Sequence, residues 1–313
     1  MVGQVNRRDF NKRVLGAAVS GGVLGKLFAA EANGSQKPFS LNYIVASCMY
    51  GTLPLETILQ ETPKTGARYL EIWAKRHGDQ REQIDQLGVE KTKRLFDQYN
   101  VKLGSFTCFK YGLFNMQGEM DLVAQLDGDM VICNSGGPRG LKGAELKSAI
   151  KKFAEKLKPQ VTAAEEKGVI IGLENHGGGL INDPDTQRWM MEALPSKHFG
   201  MALAPYHLAQ NESEIAKLIT DLGERLVHFQ AWQHGMGCMK KLPKEQELLQ
   251  LPGRGDLDFV PLLAALKKIN YQSRTEIFMH PVPRGIPIHP TAEQVTAEIN
   301  RSRAYLEKCL KQA

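Results

Sequence analysis

The sequence predicts an α/β fold, a single closed (β/α)8 barrel. Three observations predict it. Short β-rich runs alternate with amphipathic helical stretches, eight of each, along the 313 residues. Strands separated by helices, with near-continuous apolar runs, belong to a parallel sheet. Eight such pairs in the 281 residues after position 32 close into a barrel rather than spread into an open, doubly wound sheet.

The strand runs lie at 39–48, 68–73, 101–109, 130–134, 169–175, 200–203, 226–232 and 274–279, each rich in β-branched, aromatic or other apolar residues. Helical periodicity fits 55–62, 89–98, 119–126, 146–166, 184–193, 212–222, 259–268 and 291–310. Several helices mark their own ends. Asp183-Pro184 is an N-cap followed by proline at the first helical position. Asn211 precedes Glu212 and Glu214, acids at the positive end of a helix dipole. Gly168 and Gly223 follow the fourth and sixth helices, as C-terminal glycines do. Lys147, Lys151, Lys152, Lys156 and Lys158 read as a solvent-facing stripe. The long connection from Gly235 to Asp258 reads as a loop over one end of the barrel. No G-x-G-x-x-G and no G-x-x-x-x-G-K-[ST] occurs, so a nucleotide cradle is not expected.

The first 32 residues read as an address label. Arg7-Arg8, Phe10 and Lys12 resemble a twin-arginine export motif. A weakly apolar stretch runs from Val14 to Ala30, and Ala30-Glu31-Ala32 offers a cleavage site. The expected division is a signal peptide at 1–32 and a barrel at 38–313. The expected location is the periplasm or beyond, reached through the twin-arginine machinery, with no stable membrane span after cleavage. Residues 1–32 carry a net charge of +3 of the chain's +6. The remaining +3 is too small for a nucleic-acid footprint. Composition of 42% apolar and 24% charged residues excludes a disordered or collagen-like chain. The five cysteines form no C-x-x-C pair, and three lie in strand runs, where cysteine is a small core residue.

In such a barrel chemistry belongs at the C-terminal ends of the strands. Polar residues gather there: Glu71, Trp73, Asn134, Glu174, Asn175, His176, His207, His228, Gln230, Trp232, Gln233, His234, Glu276 and His280. A glutamate in an apolar strand is costly to bury unpaired, which singles out Glu174 and Glu276. The bland alternative for Glu276 is an ion pair with Arg274 or Arg284. Trp73 and Trp232 suit the C–H face of a sugar ring or simple core packing. His77, His198 and His289 read as solvated loop histidines.

Four segments together resemble the xylose isomerase-like TIM barrels, which include sugar isomerases, sugar epimerases and endonuclease IV. They are Tyr69-Leu-Glu-Ile-Trp73, Gly172-Leu-Glu-Asn-His176, Leu203-Ala-Pro-Tyr-His207 and Gly253-Arg-Gly-Asp-Leu-Asp-Phe259 followed by Tyr271. The likeness covers nearly all of residues 40–310. It implies one divalent metal (Mn, Mg or Zn) held by two Glu, an Asp and a His. The two carboxylates would also move a proton at a carbon next to a carbonyl.

Carried over residue by residue, the match is partial. Glu174 fits the first Glu, and His207 is kept. The Asp position holds Ala204 and the His position holds Gln230. Glu276 is nearest to the last Glu, although a strict count places Phe278 there. The expectation is therefore an exported isomerase or epimerase of a sugar or polyol derivative, with Glu174 and Glu276 as acid and base. Its degenerate metal site would draw on Glu174, His207, His228 and Glu276, or hold no metal. Glu71, Trp73, Asn134, Asn175, His176, His207, Gln230, Trp232 and His280 would line the substrate. The rivals are a non-catalytic carbohydrate-binding barrel and a metal-independent lyase or hydrolase on sugar-like substrates.

Overall fold

A computed structural model describes residues 38–313. The expected export signal at 1–32 lies outside the described residues. Eight parallel strands close on themselves in sequence order, β1 to β8, with β8 pairing back to β1. They are β1 Asn42–Ala46, β2 Tyr69–Trp73, β3 Lys102–Thr107, β4 Met130–Asn134, β5 Ile170–Glu174, β6 Phe199–Leu203, β7 Leu226–Ala231 and β8 Arg274–Ile277. The helices are α1 Leu55–Glu61, α2 Gln80–Leu87, α3 Val89–Gln98, α4 Gln117–Gln125, α5 Gly143–Lys167, α6 Pro184–Ala193, α7 Glu212–Leu222, α8 Lys244–Glu247, α9 Phe259–Lys268 and α10 Ala292–Leu310. The single TIM barrel read from the sequence is the fold.

The caps act as their residue types dictate. The Asp183 side chain accepts from the Thr186 amide and Asn211 from the Glu214 amide, filling orphan donors of α6 and α7. Gly168 ends α5 with φ at +66°, where a side chain would be strained. Two helices were not anticipated. α2, Gln-Arg-Glu-Gln-Ile-Asp-Gln-Leu, has no apolar stripe and docks through polar side chains. Gln80 donates to the carbonyls of Gly51 and Leu53, and Arg81 pairs with Glu119 at 2.6 Å. The other, α8, is a single turn inside the long connection after β7.

The barrel interior is filled, with a polar plug at its N-terminal end. The Arg274 guanidinium grips Asp129 at 2.6 Å and the Gly104 carbonyl at 2.8 Å. Gly104 lets the chain pass close by, since a Cβ there would lie 2.4 Å from Ile44 Cδ1 and push that side chain aside. Arg274 is thus committed to Asp129, and the simple Arg274–Glu276 pair does not form. All five cysteines are free and buried. Among the described residues no helix is long and apolar enough to cross a membrane.

Candidate active site at the barrel mouth

Polar residues at the C-terminal strand ends separate into two groups. The first is built on β5 and β6. Glu174 ends β5, facing Asn134 in register on β4. His176 follows two residues later, and His207 comes from the turn Pro205–His207 after β6. One donor atom from each of Glu174, His176 and His207 lies within 4.8 Å of the others.

His207 Nε2 stands 3.5 Å from Glu174 Oε1, yet neither ring nitrogen of this buried histidine makes a hydrogen bond. Burial pulls the His207 pKa below its usual value, and Glu174 offsets this in part. The ring is therefore neutral near pH 7 and keeps a lone pair. His176 Nδ1 lies 3.1 Å from the Gly177 carbonyl, which only accepts, so Nδ1 carries the proton and Nε2 the lone pair. The His176 and His207 rings are 4.3 Å apart. Gln230 Nε2 makes a long 3.5 Å approach to Glu174 Oε2.

The second group is Glu71, His228 and Glu276, all fully buried. Glu71 accepts from Trp73 Nε1 at 2.5 Å and from the Thr107 hydroxyl. Glu276 Oε2 lies 3.3 Å from His228 Nε2. Burial pushes the Glu276 pKa up to about 7 and the His228 pKa down to about 4. Burial, with the Glu276 carboxylate beside it, holds Glu71 well above the usual carboxylate range.

The four expected ligands Glu174, His207, His228 and Glu276 therefore do not converge. Inward positions of β8 recur every second residue, so Glu276 and Phe278 share a face. Phe278, nearer the mouth, stacks on Trp73 at 5.4 Å and meets Trp232 at 4.8 Å. This aromatic layer covers Glu276, while His176 joins Glu174 and His207 in its place.

Other polar residues of the strand ends are spent on the protein. Asn175 bridges β5 to β6, donating to the Ala204 carbonyl at 3.1 Å and accepting the Ala204 amide at 2.7 Å. Gln233 clamps Leu251 and Leu257 of the long loop. Glu71 has both oxygens engaged, as described. Trp232 stacks on Tyr206 at 3.9 Å and donates to Gln250, so each indole gives one face and its N–H to packing. Asn134 stays half-buried at the mouth. His280 is buried, 5.3 Å from both Trp73 and Trp232.

The structure also brings in residues from loops that carry no periodic signal. His77, expected in solvent, is half-buried 4.9 Å from Trp73 and 4.6 Å from His280. Phe109 packs 5.5 Å from Trp73 and 5.8 Å from His176. The loop after β7 covers the mouth as its length suggested. Met236 is so close to Gly177 that a Cβ there would lie 2.5 Å from its Sδ.

The sequence pattern of the xylose isomerase-like TIM barrel matches residues 59–304. The chain belongs to that family. A curated relative, D-psicose 3-epimerase of Enterocloster bolteae, is 28% identical over 112 residues. That match spans 35% of this chain and 33% of the epimerase, about a third of its length. Among solved structures the IOLI protein with a zinc atom superposes with a TM-score of 0.68 at 17% identity, covering 86% of this chain and 99% of that one. D-psicose 3-epimerase with D-tagatose from Clostridium cellulolyticum H10 gives 0.65 at 17% identity, with the same coverages. Identities this low establish the shared barrel alone.

Proposed function

We propose that the protein is an isomerase or epimerase of a sugar or polyol derivative, moving a proton at a carbon next to a carbonyl. The observation that carries this reading is the Glu174–His176–His207 cluster, with both His207 nitrogens buried and unpartnered. Family membership and the epimerase relative support the same reaction class.

One carboxylate and two imidazoles suit a divalent cation such as Zn or Mn. Glu174, His176 and His207 would hold it, and it would polarise the carbonyl and hydroxyl oxygens of the substrate. Glu174 carries the proton on Oε2, the oxygen that faces Gln230 rather than His207. Gln230 steadies that oxygen, and Asn134 offers an amide to a substrate hydroxyl. The aromatic layer and the loop at Met236 exclude water from the reacting carbon. Glu276, sealed beneath Phe278, carries no substrate proton in this reading; Glu174 both removes and returns it.

Metal analysis of folded protein, with solvent deuterium exchange into candidate ketoses, tests the proposal. A stoichiometric divalent metal and exchange abolished by Glu174→Gln are expected. Absence of both would overturn it and leave the sugar-binding reading, which Ala204 and Gln230 favour. We further propose export through the twin-arginine route, on the strength of Arg7-Arg8 and the apolar stretch after them. Cell fractionation with both arginines changed to lysine would then trap the protein in the cytoplasm.

A further inference from the structure

Arg284 sits in the connection from β8 to α10, on the mouth side of the barrel, and is half-buried. Its Nη1 donates to the Pro281 carbonyl at 2.7 Å. Among the described residues that is its only hydrogen bond, and no carboxylate lies within the 4.0 Å of an ion pair.

The other buried and half-buried arginines behave differently. Arg81 has Glu119, Arg188 has Asp221, Arg274 has Asp129, Arg301 has Glu298 and Arg303 has Glu307. Arg225 has no acid but donates to the carbonyls of Met191, Leu194 and Phe199. A half-buried guanidinium with one carbonyl partner and no acid keeps most of its donors free at the mouth, where a counter-ion can take them. The guanidinium fork matches a carboxylate or a phosphate.

Its charge is felt inside the mouth. It helps to depress the pKa values of His77, His280 and His207. His77 is held down to about 4, chiefly by burial. Gly285, next to Arg284, packs so closely on the Arg76 carbonyl that a Cβ there would lie 2.9 Å from it, which sets this connection beside His77; His77 and His280 are neutral imidazoles that donate hydrogen bonds without adding positive charge. His77 and His280 lie 4.6 Å apart on the Trp73 side, across the mouth from the Glu174 cluster. Connections after the last two strands are also where barrels of this type commonly seat phosphate.

We propose that Arg284, with His77 and His280, forms a subsite for an anionic substituent, so that the substrate is an acidic sugar bearing a carboxylate or a phosphate. The proposal rests on the mouth being a sugar site, as argued above. A neutral sugar would leave the guanidinium unpaired. An acidic one would place its charge on Arg284 and its reacting carbon toward Glu174.

Calorimetric titration of the full chain tests it, using hexuronates, hexose 6-phosphates, the matching neutral hexoses and inorganic phosphate. At least one acidic sugar is expected to bind roughly tenfold or more tighter than its neutral counterpart. Arg284→Gln should remove that preference, and Arg284→Lys should keep part of it. The melting temperature of each variant separates this from loss of folding, and the lysine variant serves if glutamine unfolds the loop. Preference for a uronate or for a phosphate identifies the anion. Equal binding of acidic and neutral sugars, binding of no anion at all, or a preference that survives Arg284→Gln overturns the subsite. Deuterium exchange reports separately on the isomerase reading. Exchange into neutral sugars untouched by Arg284→Gln would sink the subsite alone, whereas Arg284-dependent binding without exchange would sink the isomerase alone.

Discussion

Glu174 and Glu276 both occupy inward-facing strand positions, each with a histidine nearby, at 3.5 Å and 3.3 Å. Their surroundings differ. Beside Glu174 a neutral histidine keeps both nitrogens unpartnered, and His176 adds a lone pair from the half-exposed side. Glu276 lies beside Glu71 and His228 with no exposed surface, under the layer of Trp73, Phe278 and Trp232. The same two residue types thus form an open donor set in one place and a sealed polar core in the other. Donors become a site when they are left unpaired where a ligand can reach them; residue type at a strand end does not decide it.

The largest effect should come from the open side. Glu174→Gln should lower deuterium exchange by about 10²–10⁴-fold, the usual worth of a positioned proton carrier, and should strip bound metal. Retained metal and exchange would erase the distinction between the two glutamates. On the sealed side, Phe278→Ala should cost about 3–5 kcal/mol of stability, as truncation of a buried aromatic does. A melting temperature within a degree or two of the parent would show that the aromatic layer is not packed as described.

Glu276→Gln sharpens the contrast through pH. Folded Glu276 keeps its proton until about pH 7, whereas the unfolded chain releases it near 4.5. The native state therefore loses stability as pH rises between those values, by up to about 3 kcal/mol. His228, held neutral with a pKa near 4, contributes the opposite slope between about 4 and 6.5, in parent and variant alike. The melting temperature of Glu276→Gln relative to the parent should be higher at pH 8 than at pH 5. A difference that does not vary with pH would mean that Glu276 is solvated. The smallest effect is expected for Gln230→Ala, whose 3.5 Å contact to Glu174 is long; a loss of exchange rate under about tenfold fits a weak neutral hydrogen bond.

The fold was legible because periodicity and caps are local. α3, α6, α7 and α9 begin and end where Val89, the Asp183-Pro184 pair, Asn211 and Phe259 place them. α2 was not, since its buried face is Gln80, Arg81 and Ile84 rather than an apolar stripe. In the site, Glu174 and His207 stood out as polar residues ending apolar strands. The roles of Glu276 and Phe278 could not be separated, because alternation gives both the same face and only packing decides which one lies beneath. His77 read only as a solvated histidine and Arg284 only as a partner for Glu276, a pair that does not form, for loop residues reach the mouth through a path that no spacing encodes.

One consequence of the Asn175 clamp concerns how such a mouth changes over generations. The amide fixes the backbone of Ala204 from both directions, at 3.1 and 2.7 Å, just past the mouth end of β6. Every alanine codon becomes an acidic one through a single change at its second base. The chain thus stands one nucleotide away from a further carboxylate on a backbone already held in place, and its ligand set can be exchanged without rebuilding the barrel.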